Sequence, residues 1–284
     1  MWIPCPAGGQ ADGTLKFAPD TPRLIAIPYE KQEKLLRMLE AILFDFADTL
    51  ISFGKIRAQA LFPIAAKDTY QYLRERDYHL PPFQQYAAMH LRTFRRRYIW
   101  SAIRRRDFDA MDLVCRVLTK LDVPLQPVDR AALAWLWYRP VIRQTKVEPG
   151  TLEMLCELRR RGLKMAIVSN TCAPGICLDR HLEDECLLEF FPTRVYSSNT
   201  IYRKPHPQIF RTALHELGVA PHQAMFVGDL IRADIKGGRR MGMTTVWKPA
   251  KPVPRTTLRH KPDHVIRKIT DLPRVIDHLT AQHA

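Results

Sequence analysis

No apolar run in this chain approaches the roughly 20 residues that a membrane-spanning helix needs, so no transmembrane segment is expected. The first residues, Met1-Trp-Ile-Pro-Cys-Pro-Ala-Gly-Gly, lack the basic start and apolar stretch of a secretory leader. Cysteine is sparse, with six scattered over 284 residues and no framework spacing. A chain of this length builds its own core without disulfides, so reduced thiols and a cytoplasmic setting are expected. No internal repeat is visible.

In bulk the chain is ordinary: 46% of residues are hydrophobic and 26% charged. Its length suits one large domain or two modest ones. The charge balance is less ordinary, since 44 Lys and Arg against 29 Asp and Glu give +15. Such an excess is compatible with a nucleic-acid partner, an anionic substrate or a basic solvated surface. The arginines mostly interrupt helical patterns, which ranks the solvated surface first.

Residues 1 to 29 hold eight prolines and glycines with little periodicity and read as an extension outside the fold. Residues 30 to 40 are expected to form a short helix. Met38-Leu-Glu-Ala-Ile-Leu-Phe-Asp45 has the pattern of a natural start, which would make the preceding segment a mis-assigned upstream one. From Leu50 to Lys146 no strand signal stands out; helical patterns alternate with breaks at Pro63, Pro81-Pro82, Pro124 and Pro127. Within it Leu91, Phe94, Tyr98 and Ala102, with Ile99 and Ile103, fall on one helical face, and Arg92, Arg95, Arg96, Arg97, Arg104, Arg105 and Arg106 mostly fall elsewhere. The first set is expected in the core and the arginines in water. A basic surface steering an anion or nucleic acid is the second reading. After Pro149-Gly150 strands and helices alternate: helices at 151–161 and 207–217, a helix ending by Gly242, and strands at 163–168, 195–197, 224–227, 244–247 and 264–269, with a closing helix at 272–279. Residues 248 to 262 read as a basic, proline-rich loop. This rhythm predicts an α/β fold with a parallel sheet covered on both faces.

The chemistry-bearing residues sit at predicted strand ends. Ala41-Ile-Leu-Phe-Asp45-Phe-Ala-Asp-Thr49 is an apolar run meeting an aspartate, with a threonine four positions later. In open α/β sheets ligands bind beyond the carboxyl ends of strands; the plain alternative for such an aspartate is a helix cap. Three later segments follow suit: Met165-Ala-Ile-Val-Ser169-Asn170, Arg203-Lys204-Pro205, and Met225-Phe-Val-Gly228-Asp229-Leu-Ile-Arg-Ala-Asp234. In that order the four motifs resemble the haloacid dehalogenase superfamily over roughly residues 40 to 282.

The resemblance implies a Rossmann-like core from residues 40–50 and 147–284, a helical cap from 51–146, and an N-terminal extension at 1–39. It implies that Asp45 attacks phosphorus and becomes an aspartyl-phosphate, that Ser169 holds a phosphoryl oxygen, and that Lys204 neutralises nucleophile and phosphoryl group. Asp229, Asp45 and the backbone carbonyl of Ala47 would bind Mg²⁺, with Asp234 orienting a metal-bound water from outside. Thr49 and Asn170 would lie against the substrate, and Gly228 would let backbone approach closely. A surface role for Lys204 and a first-turn helix role for Asp234 are the plainer alternatives. The expected partner is a small phosphorylated compound, with nucleic acid ranked behind it, no membrane, and the oligomeric state open.

One departure matters. Family phosphatases carry a second aspartate two residues after the nucleophile, and here that position is Ala47. Loss of a general acid typically lowers a rate by ~10²–10⁴-fold. Asp48 comes one residue late, and neighbouring side chains on extended backbone point opposite ways. The leaving group then departs unprotonated, or the acid comes from the cap or the substrate, or the protein binds its ligand with little turnover. Phosphonoacetaldehyde hydrolases share the alanine but need a cap lysine, and there is no lysine between Lys67 and Lys120. Dehalogenases need no proton and no metal-binding acid, so Asp229 points to phosphoryl chemistry. Cys172, Cys177, His181 and Cys186 can be drawn as a zinc site, but their spacing matches no standard pattern.

Overall fold

A computed structural model describes residues 39–54, 58–104, 106–124, 126–250 and 260–282. The extension and the short helix expected at 30–40 therefore lie outside the described residues, save for Leu39 and Glu40.

Strand β1 (Ala41–Phe44) is fully buried and central. β4 (Lys164–Ser169) and β6 (Ala224–Gly228) flank it, and β5 (Thr193–Tyr196), β7 (Thr244–Trp247) and β8 (His264–Val265) complete a six-stranded sheet in the order β5-β4-β1-β6-β7-β8. Every pair is parallel, so all carboxyl ends share one edge. Alternation along β1 divides its side chains between two cores. Ile42 and Phe44 join a cluster with Leu155, Leu158, Leu178 and Ile276. Ala41 and Leu43 join Ile209, Phe210, Ala213 and Leu214 on the other face. The first face is thus covered by α5 (Thr151–Arg160), α6 (Gly175–Asp184) and α10 (Leu272–Gln282), and the second by α8 (Pro207–Leu217) and α9 (Lys236–Met241), while α7 is the single turn Ser197–Thr200 after β5. This is the expected α/β sandwich. Gly162, Gly218 and Gly242 all take positive φ where helices were expected to stop.

Between β1 and β4 four helices form: α1 (Ala58–Arg74), α2 (Phe83–Arg104), α3 (Ala110–Thr119) and α4 (Pro127–Ile142). Three expectations need correction here. A strand was not foreseen, yet β2 (Ile51–Ser52) pairs antiparallel with β3 (Lys146–Val147); two residues carry no readable periodicity. Pro63 does not break a helix, because α1 runs through it, and losing one ladder bond near a helix start is tolerable when tertiary packing holds the rest. Tyr98, Ile99 and Ile103 are 62%, 59% and 67% exposed rather than in the core. With 22 residues α2 outruns the 17 of α1 and the 10 of α3. Beyond Phe94, which packs edge-on against Phe62 and Phe108, its last turns bury only Ser101. The strand expected at 264–269 is also shorter, since the chain leaves β8 after Val265.

Candidate active site

Asp45 leaves β1 buried, its backbone N–H donating to Val227 O at 2.9 Å. One position beyond the matching end of β4 stands Asn170, and before it the buried Ser169 closes the strand. Lys204 reaches in from the loop ahead of α8. Its Nζ lies 2.7 Å from Asp45 Oδ1 and 2.8 Å from Asp234 Oδ1, and 5.2 Å from the centre of the Phe226 ring. An ammonium this deeply buried is tolerable only beside opposite charge. Burial works against its protonation, but Asp234 and Asp45 overcome that and hold the pKa above the usual lysine range.

Asn170 fixes this lysine from 34 residues away. Its Oδ1 accepts from Lys204 N–H at 2.6 Å and its Nδ2 donates to Lys204 O at 3.1 Å. The structure thus engages Asn170 with backbone at both ends of its amide, where a substrate contact was expected. Thr49 is buried and its Oγ1 has no hydrogen-bond partner among the described residues.

β6 supplies the remaining acids. Asp229 follows Gly228 directly, and its carbonyl accepts from Trp247 Nε1 at 2.7 Å. A π-turn over Ile231–Ile235 then swings Asp234 back beneath the strand end; such turns are frequent at functional sites. Asp234 Oδ2 accepts from Leu230 N–H at 2.8 Å, so its two oxygens hold a backbone amide and Lys204. Gly228 makes room for this: a Cβ there would stand 2.5 Å from the Asp234 carboxyl group. The close approach is therefore that of an acid to backbone.

Asp45, Asp229 and Asp234 each offer an oxygen, all within 4.8 Å of one another. Three carboxylates face one lysine. Burial, then the charges of Asp45 and Asp234, push Asp229 up to about 8 against the pull of Lys204. Burial also lifts Asp234 to about 6, opposed by Lys204 and aided by Asp45. Crowded hard oxygens with uncompensated charge fit a divalent cation such as Mg²⁺.

The turn after Asp45 is fixed differently. Ala47 packs against the core cluster and its backbone bridges to Ile51. Asp48 takes a left-handed conformation, with φ of 56°, and its Oδ1 accepts from Phe53 N–H at 2.8 Å. Its carbonyl accepts from Lys248 Nζ at 3.1 Å, and the same Nζ pairs with Glu148 at 3.1 Å. Sequence reasoning left Lys248 in a basic loop; it is buried and braces the turn after Asp45. Its readable signal was its place directly after β7, at the edge where the site lies. Trp247 gave no signal.

The cysteine cluster is not assembled. Both ring nitrogens of buried His181 are engaged, Nδ1 with Tyr138 Oη and Nε2 with Thr145 Oγ1, each at 3.1 Å. Cys177 is buried and Cys186 exposed.

Comparison with known proteins gives the family. The haloacid dehalogenase-like hydrolase family model matches residues 39–242, which is most of the chain. The chain belongs to that family of hydrolases. It is 29% identical over 167 residues to a glyceraldehyde 3-phosphate phosphatase of Pyrococcus furiosus, covering 59% of this chain and 68% of that one. The glyceraldehyde 3-phosphate phosphatase of Methanopyrus kandleri is 27% identical over 227 residues, covering 74% and 83%. Among solved structures, a 2-haloacid dehalogenase from Pseudomonas syringae pv. Tomato superposes with a TM-score of 0.58 over 87% of this chain and all of that one. At 20% identity that likeness speaks for the fold alone.

Proposed function

We propose that this hydrolase is a Mg²⁺-dependent phosphatase acting on a small phosphorylated compound in the cytoplasm. One observation carries the reading: buried Lys204 bridges Asp45 and Asp234 while Asp229 stands within ligand distance of both acids. The names of the two phosphatase relatives support it. Among the described residues no helix is long and apolar enough to cross a membrane.

In this reading Asp45 is the nucleophile. Its carboxylate attacks phosphorus, the ester oxygen leaves with the bonding pair, and water then cleaves the aspartyl-phosphate. Lys204 pairs with Asp45 and offsets charge on the phosphoryl oxygens; Asn170 holds Lys204 in place; Ser169 and Thr49 donate to the phosphoryl group. Asp45, Asp229 and the Ala47 carbonyl would hold Mg²⁺, which would neutralise charge between nucleophile and phosphate. Asp234, with both oxygens engaged, supports from outside. The helices at 51–146 act as a cap that shuts out water.

Ala47 leaves no acid two residues past the nucleophile, and Asp48 is turned onto Phe53. The leaving group must then depart largely unprotonated. The same observation favours a second reading, a phosphate-ligand binding protein with little turnover. Phosphate release with Mg²⁺ from acetyl phosphate, p-nitrophenyl phosphate and sugar phosphates separates the two, with Asp45→Asn as control. Turnover of the first two, absent in Asp45→Asn, is the expected result. No Asp45-dependent release from any of them would leave the binding protein.

A further inference from the structure

Above the site, the helical segment encloses a cavity of about 280 Å³ that the chemistry described so far does not use. Its walls are mostly apolar, with Phe62, Phe94, Trp137 and Tyr138 set among aliphatic side chains such as Met111 and Val114. An apolar cavity of about 150 Å³ already holds benzene, so this one has room for a fused two-ring system. Two polar groups on its wall stand out. His90 is 3% exposed, and neither its Nε2 nor the buried Nε1 of Trp137 has a hydrogen-bond partner among the described residues. Both nitrogens are closed off by packing, so the surface offered to a ligand here is apolar.

Chain and packing both tie the cavity to the elements that carry the phosphoryl site. Thr171, Cys172, Ala173 and Pro174 form one wall, and Thr171 is two residues from Ser169, at most about 7 Å of backbone. On another side, Tyr138 lies 5.8 Å from the His181 ring, which lies 5.6 Å from Phe46, the residue after Asp45. The chamber therefore lies beside the elements that carry Ser169 and Asp45.

We infer that the substrate is an aryl phosphate whose ring occupies this cavity. The inference rests on the phosphatase reading and names its substrate class. It accounts for Ala47 as well. A phenolate is a far better leaving group than an alkoxide, so cleavage does not await a proton in the transition state. Asp45 Oδ forms the bond to phosphorus, the phosphorus–oxygen bond to the ring breaks, and the phenolate leaves with the electron pair and takes a proton from water. A second water then releases phosphate and restores the Asp45 carboxylate.

The test compares kcat/KM for 1-naphthyl phosphate, phenyl phosphate, glycerol phosphate and acetyl phosphate in wild type and in Ala134→Phe, which fills the cavity from α4. The expected order places naphthyl phosphate at least tenfold above glycerol phosphate, and the naphthyl-to-acetyl ratio falls at least tenfold in the variant. A second measurement needs no variant: 1-naphthol is expected to compete with naphthyl phosphate for the wild-type enzyme at millimolar concentration or below. If acetyl phosphate is turned over but naphthyl phosphate is no better than glycerol phosphate and naphthol does not compete, the aryl assignment is overturned and the phosphatase reading stands. If nothing is turned over in an Asp45-dependent way, the phosphatase reading falls and the assignment with it.

Discussion

The crevice at the sheet edge and the chamber among the helices are built on opposite terms. In the crevice the Lys204 ammonium lies against two carboxylates, and Asp234 has a partner on each oxygen. In the chamber packing is apolar, and His90 and Trp137 each keep a buried nitrogen without a partner among the described residues. Reaction chemistry needs charges held still before the substrate arrives, because preorganised groups need no rearrangement in the transition state. Recognition of an apolar group tolerates a wall of plain side-chain packing.

The sharpest way to break this contrast is at the crevice. Asp45→Asn should lower phosphate release by at least about 10³-fold while leaving the far-ultraviolet dichroism unchanged, because it removes the nucleophile without changing shape. Lys204→Met should cost about 3–5 kcal/mol in urea unfolding, since two acids are left without their buried counter-charge. A loss below 1 kcal/mol would mean the pairing contributes little. Gly228→Ala drives a methyl group into Asp234 and should destabilise by about 1–3 kcal/mol, with activity falling further than stability as Asp234 is displaced.

The chamber should show a smaller, pH-dependent effect. Burial pulls His90 down to about 4, below the ordinary histidine value of 6.5. Between those values the unfolded chain binds a proton that the native state refuses, so stability is intact above pH 6.5 and declines as pH falls toward 4. At pH 5 the loss assignable to His90 is about 1–2 kcal/mol, and His90→Phe should flatten that limb of the stability profile. An unchanged slope would mean the imidazole titrates normally. The smallest effect belongs to the outer end of α2: Tyr98→Ser or Ile103→Ser should change stability by less than about 0.5 kcal/mol, because both side chains already face water.

The crevice was legible in the sequence because its residues lie at strand ends. Asp45, Ser169 and Asp229 each follow or close a short apolar run, and parallel pairing of those runs brings them to one edge. Lys204 was readable by its place among them. Residues that hold the others were not. Asn170 grips Lys204 backbone, Trp247 grips the Asp229 carbonyl, and Lys248 grips the Asp48 turn, and none of these pairings has a local pattern. The chamber was hidden for the same reason: its wall comes from four helices and the loop after β4. Helical periodicity names a face without saying how far its partners extend, which is why Tyr98, Ile99 and Ile103 were misplaced.

The two-residue ribbon of Ile51–Ser52 and Lys146–Val147 has a wider consequence. The chain departs toward the helices and returns from them on adjacent backbones, so the residue count in between is decoupled from the register of the sheet. Lengthening such an excursion adds closure entropy only logarithmically, about 0.6 kcal/mol for each doubling. Ribbon and sheet together form a socket with neighbouring terminals, into which helical inserts of different length can be exchanged without redesigning the chemistry below.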